Sequence, residues 1–446
     1  MHMAKSHWPY FDPEYENLSQ RINPPRVSFD NTTCSDCTLV KVDSANKPGI
    51  LLEVVQVLTD MDLIISKAYI SSDGGWFMDV FHVTNQMGQK LTDTKTMEYI
   101  EKALGARGTT CATEVRTWPG KQAGVAESID GGPTAIELVG SDRPGLLSEI
   151  SAILASLDCN VVAAEVWTHR TRIACVVYVT DSTTSRPLDD PARLAAVEEQ
   201  LRNVLKGRDG DRRSARTNFS LGFMHTDRRL HQMMFADRDY EEEGEEEEAP
   251  LVSVDTCGER GYSVVNVRCK DRPKLLFDTV CTLTDMHYVV FHASIVSQGP
   301  HALQEYYIRH KDGCILDGDS EKQRVIKCLE AAIQRRVSNG LTLEMCASDR
   351  VGLLSDVTRV FRENGLSVTR AGVTTIGGKA MNVFYVRYAS TGEPVDTKTI
   401  EALRREIGNA MLLNVKNLPA SAKPSDSNAD AKFRFSFGSF FERFLA

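Results

Sequence analysis

The stretch "SDRPGLLSEI", Ser141 to Ile150, joins a charged turn, a proline and a glycine to an apolar helix face, and its reading decides the fold. Three near copies stand elsewhere in the chain: "ANKPGILLEV" at 45–54, "KDRPKLLFDT" at 270–279 and "SDRVGLLSDV" at 348–357. Working outward from the last of these, Leu341, Leu343 and Met345 alternate with Thr342 and Glu344, as in a strand with one buried face. After "SDRVG", Leu353, Leu354, Val357, Val360 and Phe361 recur at helical spacing until Asn364-Gly365 ends the pattern. "LSVTRAGVTTI" and "AMNVFYVRYA" then read as two strands around Gly377-Gly378, a turn suited to a hairpin. Ile400, Leu403, Ile407 and Met411 mark a second helix, and "LLNV" is the closing strand. The order predicts an α+β fold: a ferredoxin-like βαββαβ unit, whose antiparallel sheet carries both helices on one face.

The other three copies read the same way, so four such units follow in tandem. Sliding the sequence by 225 residues superposes Val27, Ser28 and Asp30 on Val252, Ser253 and Asp255, and "LTDM" at 58–61 on "LTDM" at 283–286. A slide of 207 residues brings Gly145 onto Gly352, Ala164 onto Ala371 and Tyr178 onto Tyr385. The long-range pattern is A-B-linker-A'-B', two duplicated pairs. It predicts an N-terminal extension at 1–26, domains at 27–118, 133–225, 251–337 and 338–416, an acidic linker at 226–250 and a tail at 417–446. A unit of this size buries a small core and leaves open sheet edges, so side-by-side pairing is expected. The duplication suggests that domain 1 pairs with 2 and domain 3 with 4; crosswise pairing is the alternative. "RVSFD" and "LVSVD" are candidates for an extra strand in the A copies.

With 446 residues, 42% hydrophobic and 25% charged, the chain is a globular protein of several domains. Its formal charge of -9 is concentrated in Asp237–Glu248, which holds nine acids and one arginine. Like charges at that density repel, so a solvated linker is expected there, with an acidic docking segment as the alternative. No broad basic surface is available for nucleic acid, and pairs such as Arg228-Arg229 and Arg335-Arg336 are weak substitutes. No apolar run is long enough to span a bilayer. The first residues carry acids and no apolar core, which predicts no signal peptide and a cytosolic location, or a nuclear one. Eleven cysteines fit a reducing compartment. Cys34 and Cys37 form a CxxC, but no second CxxC or His pair follows at metal spacing, so they read as reduced cysteines in a strand turn, with no metal and no cofactor.

The recurring unit resembles the ACT domain, and the arrangement of four resembles plant ACT-repeat proteins. It is also similar to the paired ACT domains that end the bacterial uridylyltransferase sensor of nitrogen status. The residues that carry the resemblance are Asn46 to Leu51, Asp142 to Leu147, Asp271 to Leu276 and Asp349 to Leu354, with "SSDGGWFMDVFHVT" and "RRLHQMMFADRDYE" closer to the plant group. The resemblance implies that small amino acids are held where two ACT domains meet edge to edge, between this loop and the second strand of the neighbour.

The residues themselves support a binding loop. Pro144 in the first turn leaves the N–H groups of Leu146 and Leu147 without intrahelical partners, so that they face a carboxylate. Gly145 has no side chain to block the approach, and Asp142 offers a carboxylate to an ammonium. The expected ligand-binding residues are Asp142, Gly145, Leu146 and Leu147 in copy 2, Asp349, Gly352, Leu353 and Leu354 in copy 4, and Asn46, Gly49, Ile50 and Leu51 in copy 1. In copy 1 an amide replaces the carboxylate. In copy 3, Lys274 stands where glycine is expected, and that site is lost or altered. The plainer reading is that aspartate caps the helix and glycine relieves a crowded turn.

Signals for catalysis are missing. Gly-Ser followed by paired aspartates is expected of a nucleotidyltransferase like the bacterial sensor, and a His-Asp dyad of its hydrolase; the dipeptide His-Asp does not occur. Neither does a Walker loop, GxSxG, HExxH or GxGxxG. His82, His169 and His292 lie in or beside strands and read as packing or surface residues. The tail "KFRFSFGSFFERFLA" reads as a docking peptide or interfacial anchor for a protein or membrane surface, or as a segment packed back on the body. These features predict a non-enzymatic sensor of a free amino acid, with glutamine suggested by the resemblance, that signals to an unidentified target protein. The rival is a ligand-free scaffold.

Overall fold

The computed structural model describes residues 26–46, 49–73, 75–104, 132–206, 215–220, 225–241, 249–337, 340–407 and 412–417. The N-terminal extension, the Phe-rich tail, the charged loop at 208–213 and the acidic run at 242–248 lie outside them.

Domain 1 comprises β1 (Arg26–Asp30), β2 (Thr38–Ala45), α1 (Ile50–Asp60), β3 (Ile64–Asp73), β4 (Trp76–Thr84) and α2 (Thr94–Leu104). Domain 2 comprises β5 (Thr134–Ser141), α3 (Leu146–Ser156), β6 (Cys159–His169), β7 (Arg172–Asp181), α4 (Pro191–Leu205) and β8 (Arg216–Ser220). A further helix, α5 (Thr226–Ala236), and a 3-10 turn (Asp239–Glu241) follow. Domain 3 holds β9 (Leu251–Cys257), β10 (Tyr262–Lys270), α6 (Leu275–Asp285), β11 (Tyr288–Gln298), β12 (His301–His310) and α7 (Asp319–Gln334). Domain 4 holds β13 (Leu341–Ser348), α8 (Leu353–Glu363), β14 (Leu366–Ile376), β15 (Lys379–Tyr388), α9 (Thr397–Ile407) and β16 (Leu412–Asn417).

The chain divides into two compact units, and the division falls within α7. Each unit is built on one eight-stranded antiparallel sheet. The first has the order β1-β2-β4-β3-β11-β12-β10-β9 and the second β16-β13-β15-β14-β6-β7-β5-β8. Domain 1 therefore pairs with domain 3, and domain 2 with domain 4, so the crosswise arrangement replaces the expected 1–2 and 3–4 pairing. The joining strands meet through β3–β11 and β6–β14. Tyr69 faces Ser294, and Glu165 faces Gly372. Each is thus paired with its own counterpart in the duplication, which places a pseudo-twofold axis through the middle of each sheet.

Domains 2 and 4 have the expected strand order, with β8 and β16 on the outer edges. In domains 1 and 3 that edge is taken by β1 and β9, the extra strands expected from "RVSFD" and "LVSVD", so the A copies are ββαββα rather than βαββαβ among the described residues. The second strand of every copy carries a β-bulge, at Ile65/Lys67, Val161/Ala163, Val290/His292 and Val368/Arg370. A bulge on the joining strand adds local twist where two domains fuse their sheets.

In the second unit α3 packs on α8 across the join. Leu146, Ile150 and Leu154 share one core with Leu353, Val357 and Phe361. Fully burying a side chain of this kind contributes roughly 1.5–3 kcal/mol, and the packing of α3 on α8 supplies part of that burial.

The acidic linker is corrected at its start. Leu230, Met233 and Met234 follow helical spacing and bury against Trp167, Val176 and Tyr178, on the sheet face opposite α3. Strand β7 is consequently buried on both faces over its first eight residues, whereas β4 alternates. The acids of that run that the structure describes, Asp237, Asp239 and Glu241, are paired. Asp237 holds Arg172 at 2.5 Å, and Asp239 holds both Arg335 at 2.6 Å and His169 at 2.9 Å. Arg336 pairs with Asp227 at 2.8 Å and lies 4.5 Å over the Trp167 ring. Arg335-Arg336 is thus a buried anchor rather than a surface patch.

Candidate functional site

Each recurring loop begins with a strand-like tie. The N–H of Asp142 donates to Thr171 at 2.7 Å, and those of Asn46, Asp271 and Asp349 donate to Gly75, Pro300 and Gly378 at 2.8 Å. The chain then makes a turn with φ 83 and ψ -2 at Gly145, 79 and -2 at Gly352, 88 and -4 at Gly49, and 65 and 8 at Lys274. In copy 2, with Pro144 before Gly145, that is a type II turn, whose third residue needs positive φ, and copy 4 keeps the positive φ with Val351 in place of the proline. Leu146 donates to Arg143 at 3.1 Å and Leu353 to Arg350 at 3.1 Å, closing it. Two expectations change. The helix starts at Leu146, two residues after Pro144, and the N–H groups of Leu146 and Leu353 are already used. Those of Leu147 and Leu354 have no acceptor among the described residues. The glycine is explained by the turn itself.

Within the second unit the two loops face separate places on the join, Gly352 toward Ala155 and Gly145 toward Arg362. In the second unit the copy-4 loop lines a small cleft, partly open to solvent. Asp349, Gly352, Leu353 and Leu354 form one wall and Ala155 and Asn160 of domain 2 the other, with Asn382 and Thr375 also lining it. Asn160, at the start of the neighbour's second strand β6, lines it too. The Asn382 Oδ1 and Thr375 Oγ1 atoms are buried and have no hydrogen-bond partner among the described residues. Asn382 is only 3% exposed, and an orphaned buried amide oxygen costs stability that a ligand's donor recovers.

The equivalent seam at copy 2 is filled. A Cβ on Gly145 would stand 2.7 Å from Cδ of Arg362, the counterpart of Ala155 in the 207-residue register. Gly145 is therefore needed twice, for its backbone angle and for the arginine against it. Burial pushes the Asp142 carboxyl up to about 7, against the opposing charges of Arg387 and Arg143. Arg143 is itself held by Glu149 at 2.8 Å.

In the first unit, Asn46, Gly49, Ile50 and Leu51 form the copy-1 loop; Lys47 and Pro48 lie outside the described residues. A Cβ on Gly49 would meet nothing within 4 Å. At copy 3, Lys274 holds the turn that glycine holds elsewhere.

A fifth position, missed in the sequence, distinguishes the copies. Asp79, Cys175, Gln304 and Asn382 occupy the same place in the third ladder strand, opposite Val42, Leu138, Val267 and Met345. All four are buried polar or thiol groups on the helix face. Gln304 accepts from Tyr306 at 2.8 Å, while an oxygen of Asp79 and one of Asn382 have no partner among the described residues. Burial pushes Asp79 up to about 7. The available signal was a polar residue breaking the apolar face of β4, β12 and β15, visible as Asp79 between Phe77 and Phe81.

Of the histidines, His169 is a packing residue bound to Asp239, and His292 lies 3.5 Å from Ser71. His82 stands beside Cys37.

Sheet order, joined edges and loop-bearing seams define a protein of paired ACT domains. The ACR family N-terminal ACT domain matches residues 33–111, and the ACT domain matches 134–206 and 341–408. The chain is 63% identical to ACT domain-containing protein ACR3 of Arabidopsis thaliana, over 99% of this chain and 100% of that protein. It is 56% identical to ACT domain-containing protein ACR4 of the same plant, over 97% and 95%. It therefore belongs to the ACR family of ACT domain-containing proteins. The bifunctional uridylyltransferase/uridylyl-removing enzyme of Gluconobacter oxydans is 33% identical over 97 residues, 21% of this chain and 10% of that enzyme.

Proposed function

We propose that the chain is a non-enzymatic regulatory protein whose copy-4 seam binds a free amino acid and whose occupancy is read by a partner protein. The unpartnered Asn382 oxygen in the cleft beside Asp349 carries this reading. A zwitterion's ammonium fits Asp349 and Asn382, and its carboxylate fits the N–H of Leu354 at the start of α8. Glutamine is the first candidate, because its amide supplies both donors and acceptors. Binding across the α3–α8 seam changes the free energy of that packing, and couplings of this kind are typically about 1–3 kcal/mol.

Calorimetry of the full chain against the twenty amino acids tests it. One site is expected. Asp349→Ala and Asn382→Ala should each weaken it about tenfold, the loss of one charge-assisted or buried hydrogen bond. Asp142→Ala should do little, since Arg362 fills that seam. Absence of heat with every amino acid at millimolar concentration would leave the ligand-free scaffold as the reading.

A further inference from the structure

We propose that Cys34, Cys37 and His82 form a zinc-binding site on domain 1, separate from the seams. The sulfurs of the two cysteines and a ring nitrogen of His82 lie within 4.8 Å of one another. Cys37 Sγ stands 3.5 Å from His82 Nδ1. A thiolate and an imidazole bound to tetrahedral zinc, at about 2.3 and 2.0 Å, are about 3.5 Å apart. Cys37 and His82 therefore already stand at the separation that the ion requires, with the Cys34 sulfur within 4.8 Å of both.

The sequence separates His82 from Cys37 by 45 residues, and the ladder brings it back. Leu39, two residues after Cys37, faces His82 in the β2–β4 pairing. The loop that holds the cysteines is fastened at several points. Asp30 accepts from the backbone of Thr32 and Thr33 at 2.9 and 3.0 Å. Lys90 Nζ donates to the carbonyls of Asn31 at 2.8 Å and Cys34 at 2.5 Å. Thr38 bridges Asn31 Oδ1 and the N–H of Leu91, at 2.5 and 2.9 Å. A loop ordered in advance loses little entropy when its ligands close on an ion.

Burial is graded across the cluster: Cys37 is buried, whereas Cys34 and His82 are partly exposed. The inner ligand is thus sheltered and the outer side reaches solvent, where water or the exposed Asp36 completes four-coordination. Two thiolates and a neutral imidazole select a thiophilic ion, zinc or copper(I), over magnesium or calcium, and the two thiolate charges neutralise zinc's.

The test uses the full chain, purified with reductant, stripped by a chelator and titrated with zinc against a chromogenic competitor. One equivalent is expected to bind. Cys34→Ser/Cys37→Ser should abolish it, and His82→Asn should weaken it about 100-fold, at least as much as losing an outer-shell partner. Cys314→Ser, at an exposed cysteine elsewhere, should retain it. Cobalt(II) should give thiolate charge-transfer absorption in the wild type and in Cys314→Ser but not in the double variant. Circular dichroism checks that each variant is folded, and Cys34→Ser alone serves if the double variant is not. No tight equivalent in the wild type, or one that survives in the double variant, overturns the proposal. So does a Cys34–Cys37 disulfide that persists in the presence of the reductant, with no metal bound.

Discussion

A single backbone angle sets Lys274 apart from its counterparts. At φ 65 it holds a conformation that the other three copies give to glycine, and a side chain there costs about 1 kcal/mol. Lys274→Gly should stabilise the chain by about that amount, seen as a higher urea midpoint in the transition that includes α6. Asp79 carries a different strain. Its buried carboxyl has a pKa of about 7, above the ordinary 3.8. The folded state therefore binds the proton more tightly than the unfolded state, so this group's stabilisation is present in acid and is lost as pH rises from about 4 through 7. Asp79→Asn removes that loss. Its advantage over wild type should grow by roughly 2–3 kcal/mol between pH 5 and pH 8, a shift visible as diverging melting temperatures.

The elements differ in how openly the sequence declares them. Leu353, Leu354, Val357 and Phe361 announce α8 by spacing alone, and the Gly377-Gly378 hairpin is placed by its own turn chemistry. Helix α5 is concealed because its anchors look like solvent-facing charges: Asp237 and Asp239 are acids in an acid-rich run, and only the fold shows Arg172 and Arg335 waiting for them. The Arg335 charge and the hydrogen bonds from His169 and Arg335 hold Asp239 well below the usual carboxylate range despite burial. That stabilisation is present at neutral pH and lost in acid, as the carboxylate protonates through its depressed pKa. Asp239→Ala leaves Arg335 buried without its carboxylate, at a cost of about 3–5 kcal/mol. Hydrogen exchange over 226–241 should then accelerate, while exchange in α8 stays slow. The closed copy-2 seam was illegible for a related reason, since nothing in "SDRPGLLSEI" predicts that Arg362 lies against Gly145.

For the whole molecule, the pairing was the feature that the sequence left undetermined. A duplication tells which copies are alike, whereas β3–β11 and β6–β14 tell which of them touch. Both sheets draw one domain from each half of the chain. Residues 1–249 and 250–446, expressed separately, should each expose the joining edges of two domains and self-associate. Expressed together they should co-purify as one 1:1 species by size-exclusion chromatography. Failure to associate would contradict the crosswise sheets.

The self-paired positions Tyr69 with Ser294 and Glu165 with Gly372 carry a historical consequence. A shorter ancestor with one A and one B domain could have built both sheets by dimerising with itself, and every seam would then have existed in identical twins. Fusing the twins into one polypeptide lets a mutation strike one without the other. Arg362 where the twin position holds Ala155, and Lys274 where it holds Gly49, are differences that no homodimer could encode.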